Sequence, residues 1–219
     1  MHAWCHSCRA FGFQPWEVSL EKRRWPRTRE TFLTPEQYLE IERKAEFKSE
    51  YYQGEMFLMG GAREAHNLIV FNLAGVIGVQ LRKRRCRAYV NDMRVCVNAT
   101  GMYTYPDAVV VCGEPQFLDE TRDTLLNPSL IVEVLSPSTE FCDRVRKFEH
   151  YRAVQSVSEY LVVSSERVSA ELYTRQPDGR WLLTTASRME DSLDLQSVGV
   201  HLALADLYEK VEFPAPPAA

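Results

Sequence analysis

Leu130-Ile131-Val132-Glu133-Val134-Leu135-Ser136-Pro137 decides the fold, because it makes two demands at once. Apart from Glu133, the first six residues are apolar, and Ser-Pro closes the run. That is the pattern of a short central strand covered on both faces, not of an alternating strand with one wet side. A carboxylate inside such a strand costs several kcal/mol unless a cation or a hydrogen-bonding partner compensates it. Upstream, Tyr105-Pro106-Asp107-Ala108-Val109-Val110-Val111 repeats the theme, with an acid opening an apolar strand. Two such acids on neighbouring strands would converge on a site of hard oxygen donors, suited to Mg²⁺ or Mn²⁺. The bland alternative is that Glu133 pairs with an Arg or Lys in the core and Asp107 caps the turn after its proline. Together the two acids favour the metal site.

Working outward from this pair, Thr34-Pro35-Glu36-Gln37 offers a helix N-cap, a proline at the first helical position and a glutamine three residues after the cap. Tyr38, Leu39 and Ile41 give that helix an apolar side. Glu50 to Leu58 reads as strand, Gly-containing turn, strand. A long helix is predicted from Glu64 to Arg82, with Ile69, Val70, Leu73, Val76, Ile77 and Leu81 at helical spacing. Strands follow over Arg87–Val97, Asp107–Cys112 and Leu130–Leu135. A second helix is predicted over Thr139–Arg152, then strands over Glu159–Ser164 and Val168–Thr174. A Pro177-Asp178-Gly179 turn leads to Trp181–Thr185. This order predicts an α/β fold with a mixed central sheet flanked by helices. The folded domain is expected over residues 32–212, with a poorly ordered extension over 1–31 and a disordered Pro/Ala-rich tail over 213–219.

Two further residues are candidates for the same site. Glu50 stands just before the first strand, where it is either a third acid or a solvated charge. Lys147 lies four residues after Asp143 on one flank of the stripe formed by Phe141, Val145 and Phe148. It either reaches over the sheet end toward Glu133 or pairs with Asp143 at the surface. His66 is a neighbour of the site or a structural histidine. Arg82, Lys83, Arg84 and Arg85 end the long helix, where they either complement its C-terminal carbonyls or contact nucleic-acid phosphates.

The chain has 219 residues, is 45 % hydrophobic and 26 % charged, and carries a net charge of −4. That balance fits an ordinary globular domain and argues mildly against a protein that coats nucleic acid. No run approaches the roughly 20 apolar residues of a membrane-spanning helix. With no secretory signal at the start, the expectation is a cytoplasmic protein without membrane contact. In that reducing setting Cys5, Cys8, Cys86, Cys96, Cys112 and Cys142 are expected as small apolar residues rather than disulfides. Cys5-His-Ser-Cys8 has half the spacing of a zinc site, and no second pair completes it.

The Pro106-Asp107 pair, the run from Ile131 to Thr139, and the spaced Asp143, Lys147 and Tyr151 together resemble the Uma-two family of restriction-endonuclease-like proteins. Tyr51-Tyr52-Gln53-Gly54-Glu55, His66 and Asp92-Met93-Arg94-Val95 are similar to that family as well, so the likeness spans roughly Phe32 to Val211. The resemblance implies the PD-(D/E)XK nuclease superfamily, a metal-dependent endonuclease and a nucleic-acid substrate, DNA before RNA. Nucleases of that superfamily often act as dimers, and a homodimer is part of the expectation. By the same resemblance Asp107 matches the motif aspartate, Glu133 the following acid and Glu50 the acid from the N-terminal region. A main-chain carbonyl at Val134 would complete the ligands of a Mg²⁺ or Mn²⁺ ion. The superfamily places a lysine two residues after the glutamate, where this chain has Leu135; Lys147 matches the lysine that related proteins supply from the next helix.

A rival reading is an inactive nuclease fold kept as a module that binds nucleic acid or protein, which Leu135 and the acidic net charge favour. A hydrolase of small phosphate esters is disfavoured because the chain lacks a Gly-rich phosphate loop.

Overall fold

The computed structural model describes residues 32–136 and 146–213. Helix α1 (Pro35–Glu42) starts as its sequence dictates: the Thr34 hydroxyl accepts from Gln37 N–H, and the Gln37 side chain accepts from Thr34 N–H in return. Its buried side differs from expectation, since Tyr38 and Leu39 are joined by Glu42 rather than Ile41. Strands β1 (Ser49–Tyr52) and β2 (Glu55–Leu58) form a hairpin across Gln53-Gly54. Both turn residues have positive φ, 49° and 88°, as a tight two-residue hairpin turn requires. Glu50 therefore lies within β1, not before it. Helix α2 (Glu64–Leu81) buries Ile69, Val70, Leu73, Ile77 and Leu81.

The segment read as one strand over Arg87–Val97 is two, β3 (Cys86–Val90) and β4 (Arg94–Val97). Asn91, with φ of 59°, and Asp92 turn the chain between them, sending each half into a different sheet. The remaining strands are β5 (Met102–Thr104), β6 (Ala108–Cys112), β7 (Thr124–Leu125), β8 (Leu130–Leu135), β9 (Glu159–Ser164), β10 (Ala170–Arg175), β11 (Trp181–Ala186), β12 (Ser192–Leu195) and β13 (Val200–Ala203). The helix expected over Thr139–Arg152 is described only from Arg146. There a single wide π-type turn at Arg146-Lys147 leads into α3 (Phe148–Tyr151); Thr139 to Val145, with Asp143, lie outside the described residues. So do residues 1–31, with Cys5 and Cys8, and residues 214–219. Helix α4 (Leu204–Leu207) follows β13.

The strands form a six-stranded sheet ordered β11-β10-β9-β8-β6-β3, a five-stranded sheet ordered β2-β1-β5-β4-β7, and the β12-β13 hairpin. In the larger sheet β8 runs parallel to β9 and antiparallel to β6, so the sheet is mixed. Side-chain alternation along β6 and β8 sorts the core. Val110, Val132 and Val134 face α2, the β12-β13 hairpin and α4. Val109, Val111, Ile131 and Leu135 face the five-stranded sheet through Val95, Val97 and Met102. The fold is α/β, with mixed sheets and few flanking helices. Among the described residues no helix is long and apolar enough to cross a membrane.

The cysteine expectation fails at one pair. The register of β3 on β6 sets Cys86 directly opposite Cys112, and the two are joined as a disulfide. Cys96 is free and buried.

Candidate active site

Glu133 alternates with Val132 and Val134 along β8, so it points with Ile131 and Leu135 into the gap between the two sheets. It is only 3 % exposed. Three elements bring partners to it. From β1 comes Glu50, from the turn before α3 comes Lys147, and from α3 itself comes Tyr151. Lys147 Nζ stands 2.9 Å from Glu50 Oε1 and 3.3 Å from Glu133 Oε1. Tyr151 Oη donates to Glu133 Oε1 over 2.7 Å. The Thr104 hydroxyl, at the end of β5, donates to Glu50 and lies 3.3 Å from Tyr151 Oη. Burial, and then the negative charge of Glu133, push the Tyr151 phenol well above its usual pKa, so it stays a donor.

What fixes Lys147 is the aromatic anchor that follows it. Phe148 stacks on Tyr160 of β9 at 5.4 Å and packs against Tyr173 and Trp181. Arg175 ties down the chain beyond α3 by donating to the carbonyls of Arg152, Val154 and Val157. The backbone at Lys147 is thus clamped to the six-stranded sheet, and the side chain reaches inward rather than to the surface.

Asp107 lies one residue beyond the last paired position of β6 on β8, at the step that would face Glu133. Its Oδ2 accepts from Val134 N–H over 2.7 Å, and His66 Nε2 stands 3.1 Å from its Oδ1. His66 comes from the first turn of α2, and its other ring nitrogen is buried without a hydrogen-bond partner. Glu50, Glu133 and Lys147 are therefore brought into contact, with Asp107 on the neighbouring strand end. Arg82, Lys83, Arg84 and Arg85 are not brought there. All four are exposed beyond the opposite end of α2, whose last residue, Leu81, already lies about 22 Å from His66 along the helix axis.

Among the described residues no three acidic, histidine or cysteine side chains are close enough to enclose a metal ion. The donor chemistry fits a hard cation all the same: Asp107, Glu133 and Glu50 offer carboxylate oxygens and no sulfur. Glu50 and Glu133 are turned onto Lys147, and Asp107 onto Val134 and His66.

Another buried carboxylate escaped the sequence reading. Glu159 opens β9 and is 1 % exposed. It accepts from the main-chain amides of Gln196 and Ser197 and from the Ser197 hydroxyl, tying β9 to the turn after β12. The signal was present, since an acid opens an apolar strand here as it does at Asp107. Its partners are two main-chain amides and the adjoining Ser197 hydroxyl, all in one turn, so its role is structural. Thr104 was not singled out, since a hydroxyl on a strand carries no sequence signal comparable to a buried acid, and Tyr151 was read only as part of the family resemblance, without a role at the site.

Two mixed sheets packed face to face, with α2 behind the larger one, make an α/β fold of the restriction-endonuclease-like kind. The Uma2 family, described as "Putative restriction endonuclease", matches residues 35–205, and this chain belongs to it. Two proteins of Synechocystis sp., both described as uncharacterized, are similar to it. The protein sll1609 is 38 % identical over 152 residues, 69 % of this chain and 86 % of its own length. The protein slr1290 is 35 % identical over 181 residues, 83 % of this chain and 94 % of its own length. The fold is similar to a crystal structure from Anabaena variabilis described as a putative nuclease belonging to DUF820. That likeness has a TM-score of 0.62 at 18 % identity and covers 80 % of this chain and 97 % of the other.

Proposed function

We propose that this protein is a metal-dependent endonuclease that hydrolyses phosphodiester bonds of DNA. The observation that carries the reading is the convergence on Glu133, a carboxylate inside an apolar central strand, of Lys147 and Tyr151 with Glu50 beside them. An acid, a lysine and a second acid from a different sheet form an expensive arrangement for a core that needs only packing.

In this reading Asp107 and Glu133, with the Val134 carbonyl and Glu50, would hold Mg²⁺ or Mn²⁺. When bound, the ion supplies a lowered water pKa and neutralises charge on the phosphate. The chain's own groups do the rest. Lys147 orients the attacking water and stabilises negative charge on the phosphate oxygens in the transition state. Tyr151 holds Glu133 in one orientation, and His66 with Val134 N–H does the same for Asp107. Arg82 to Arg85 sit too far away for the scissile phosphate. About 22 Å corresponds to six or seven nucleotides along one strand at about 3.4 Å each, so they would meet flanking phosphates.

The test is incubation of the purified protein with supercoiled plasmid and Mg²⁺ or Mn²⁺, beside Glu133→Gln and Lys147→Met. Nicking that needs the metal and disappears in both variants supports the proposal. Equal nicking by all three, or none by the wild type with either metal, overturns it. In the latter case the reading shifts to the inactive binding module, which a shift assay on DNA and RNA would detect.

A further inference from the structure

We infer that Lys147 is a tethered competitor of the metal ion, filling the acids while the ion is absent and released to the phosphate when it enters. The inference rests on the metal-dependent reading above and deepens it by assigning a second state to the same lysine. Its basis is where the positive charge sits. Nζ is 2.9 Å from Glu50 and 3.3 Å from Glu133, with the three side chains only 11 %, 14 % and 4 % exposed. Both contacts use Oε1, and a divalent ion held jointly by Glu50 and Glu133 through those oxygens, at about 2.0–2.1 Å for Mg²⁺, would compete with the ammonium for them. In a site this dry two such charges repel strongly. One must leave.

The architecture says which part moves. The main chain at Lys147 is clamped by Phe148 on Tyr160, Tyr173 and Trp181, and by Tyr151 on Glu133. The side chain beyond Cα is four methylenes with rotatable bonds, so the ammonium can swing without disturbing α3. Ion binding and delivery of the ammonium to the substrate side then become one coupled event, and the coupling is reciprocal. Lys147 weakens the metal, and the metal frees Lys147.

Titration of Mn²⁺ without nucleic acid, followed by calorimetry, separates this from a purely catalytic lysine. The dissociation constant of Lys147→Met is expected to fall on the order of tenfold or more below wild type. Lys147→Arg, which keeps the charge, is expected to bind no tighter than wild type. Equal or weaker binding by Lys147→Met overturns the inference while leaving the metal reading intact. If neither wild type nor Lys147→Met takes up Mn²⁺, both fall. Because the methionine variant leaves Glu50 and Glu133 without their ammonium and could misfold, a second measurement uses the wild type alone. Acetic anhydride labelling of Lys147, read by mass spectrometry against exposed Lys83 at the far end of α2, is expected to rise several-fold on Mn²⁺ addition. Unchanged or reduced labelling overturns the inference.

Discussion

Tyr151 Oη donates to Glu133 Oε1 over 2.7 Å, deep between the two sheets and away from water. The same carboxylate oxygen also receives Lys147, so the phenol and the ammonium share one acceptor. Replacing Tyr151 with Phe removes one donor and keeps the ring packing on Tyr160. Stability is expected to fall by about 1–3 kcal/mol, the cost of leaving a charged acceptor short of a partner. Urea unfolding of Tyr151→Phe measures it; an unchanged midpoint would mean the hydroxyl contributes nothing.

Glu133 separates charge from shape. In Glu133→Ala the Lys147 ammonium loses a buried carboxylate, and the expected loss is about 3–5 kcal/mol. Glu133→Gln keeps the volume and an acceptor oxygen, so it is expected to retain more stability while losing nicking altogether. Thermal unfolding and the plasmid assay, run on both variants, check the two halves.

Asp123 gives a pH dependence remote from the site. Its carboxylate is held down to a pKa of about 2, first by the hydrogen bonds from Arg43, against the opposing effect of burial, with Thr124 and Arg94 helping. The folded value lies below the unfolded one, so the unfolded chain binds more protons in between. Stability is therefore full above about pH 4 and is lost as the pH falls toward 2, by about 2 kcal/mol at most. Asp123→Asn is expected to flatten that part of the stability-pH curve. An unchanged acid limb would rule out the linkage.

The Cys86–Cys112 bond closes a loop with a sequence separation of 26 residues. Chain-entropy arguments put its contribution at about 3.5 kcal/mol. The double variant Cys86→Ser, Cys112→Ser is expected to lose about that much, and the wild type to lose the same on adding a thiol reductant. Identical midpoints with and without reductant would show that the bond does not form.

For the basic cluster, Arg82→Gln with Arg84→Gln is expected to lower the slope of log DNA affinity against log salt by about 2, roughly one per phosphate contact. An unchanged slope would leave these residues as a helix end only.

Much of this was legible from local chemistry. The capping box at Thr34, the Gly54 turn, the periodicity of α2 and the apolar runs of β8 and β9 each state their structure within a few residues. Arg87–Val97 misled because both halves favour strand; only the left-handed Asn91 separates them, and asparagine there is permissive rather than decisive. β5, β7 and the β12-β13 pair were missed because they are short and take their form from the sheets or helices they join. The disulfide depended on register, which spacing does not encode. At the site, Glu133 and Asp107 announced themselves by polarity out of place. Glu50 and Lys147 needed the family resemblance, since a charged residue near a strand or helix end is ordinary until the fold shows what it faces.

The cluster draws one acid from the β1-β2 hairpin near the start of the fold and its ammonium from a turn about a hundred residues later, on the far side of a sheet-sheet contact. Loop-closure entropy makes that meeting one of the more demanding steps of folding. A nascent chain on the ribosome would carry its first carboxylates long before their counter-charge is synthesised. Whatever chemistry the cluster performs is withheld until both sheets have docked, so the finished tertiary structure acts as its own safety catch.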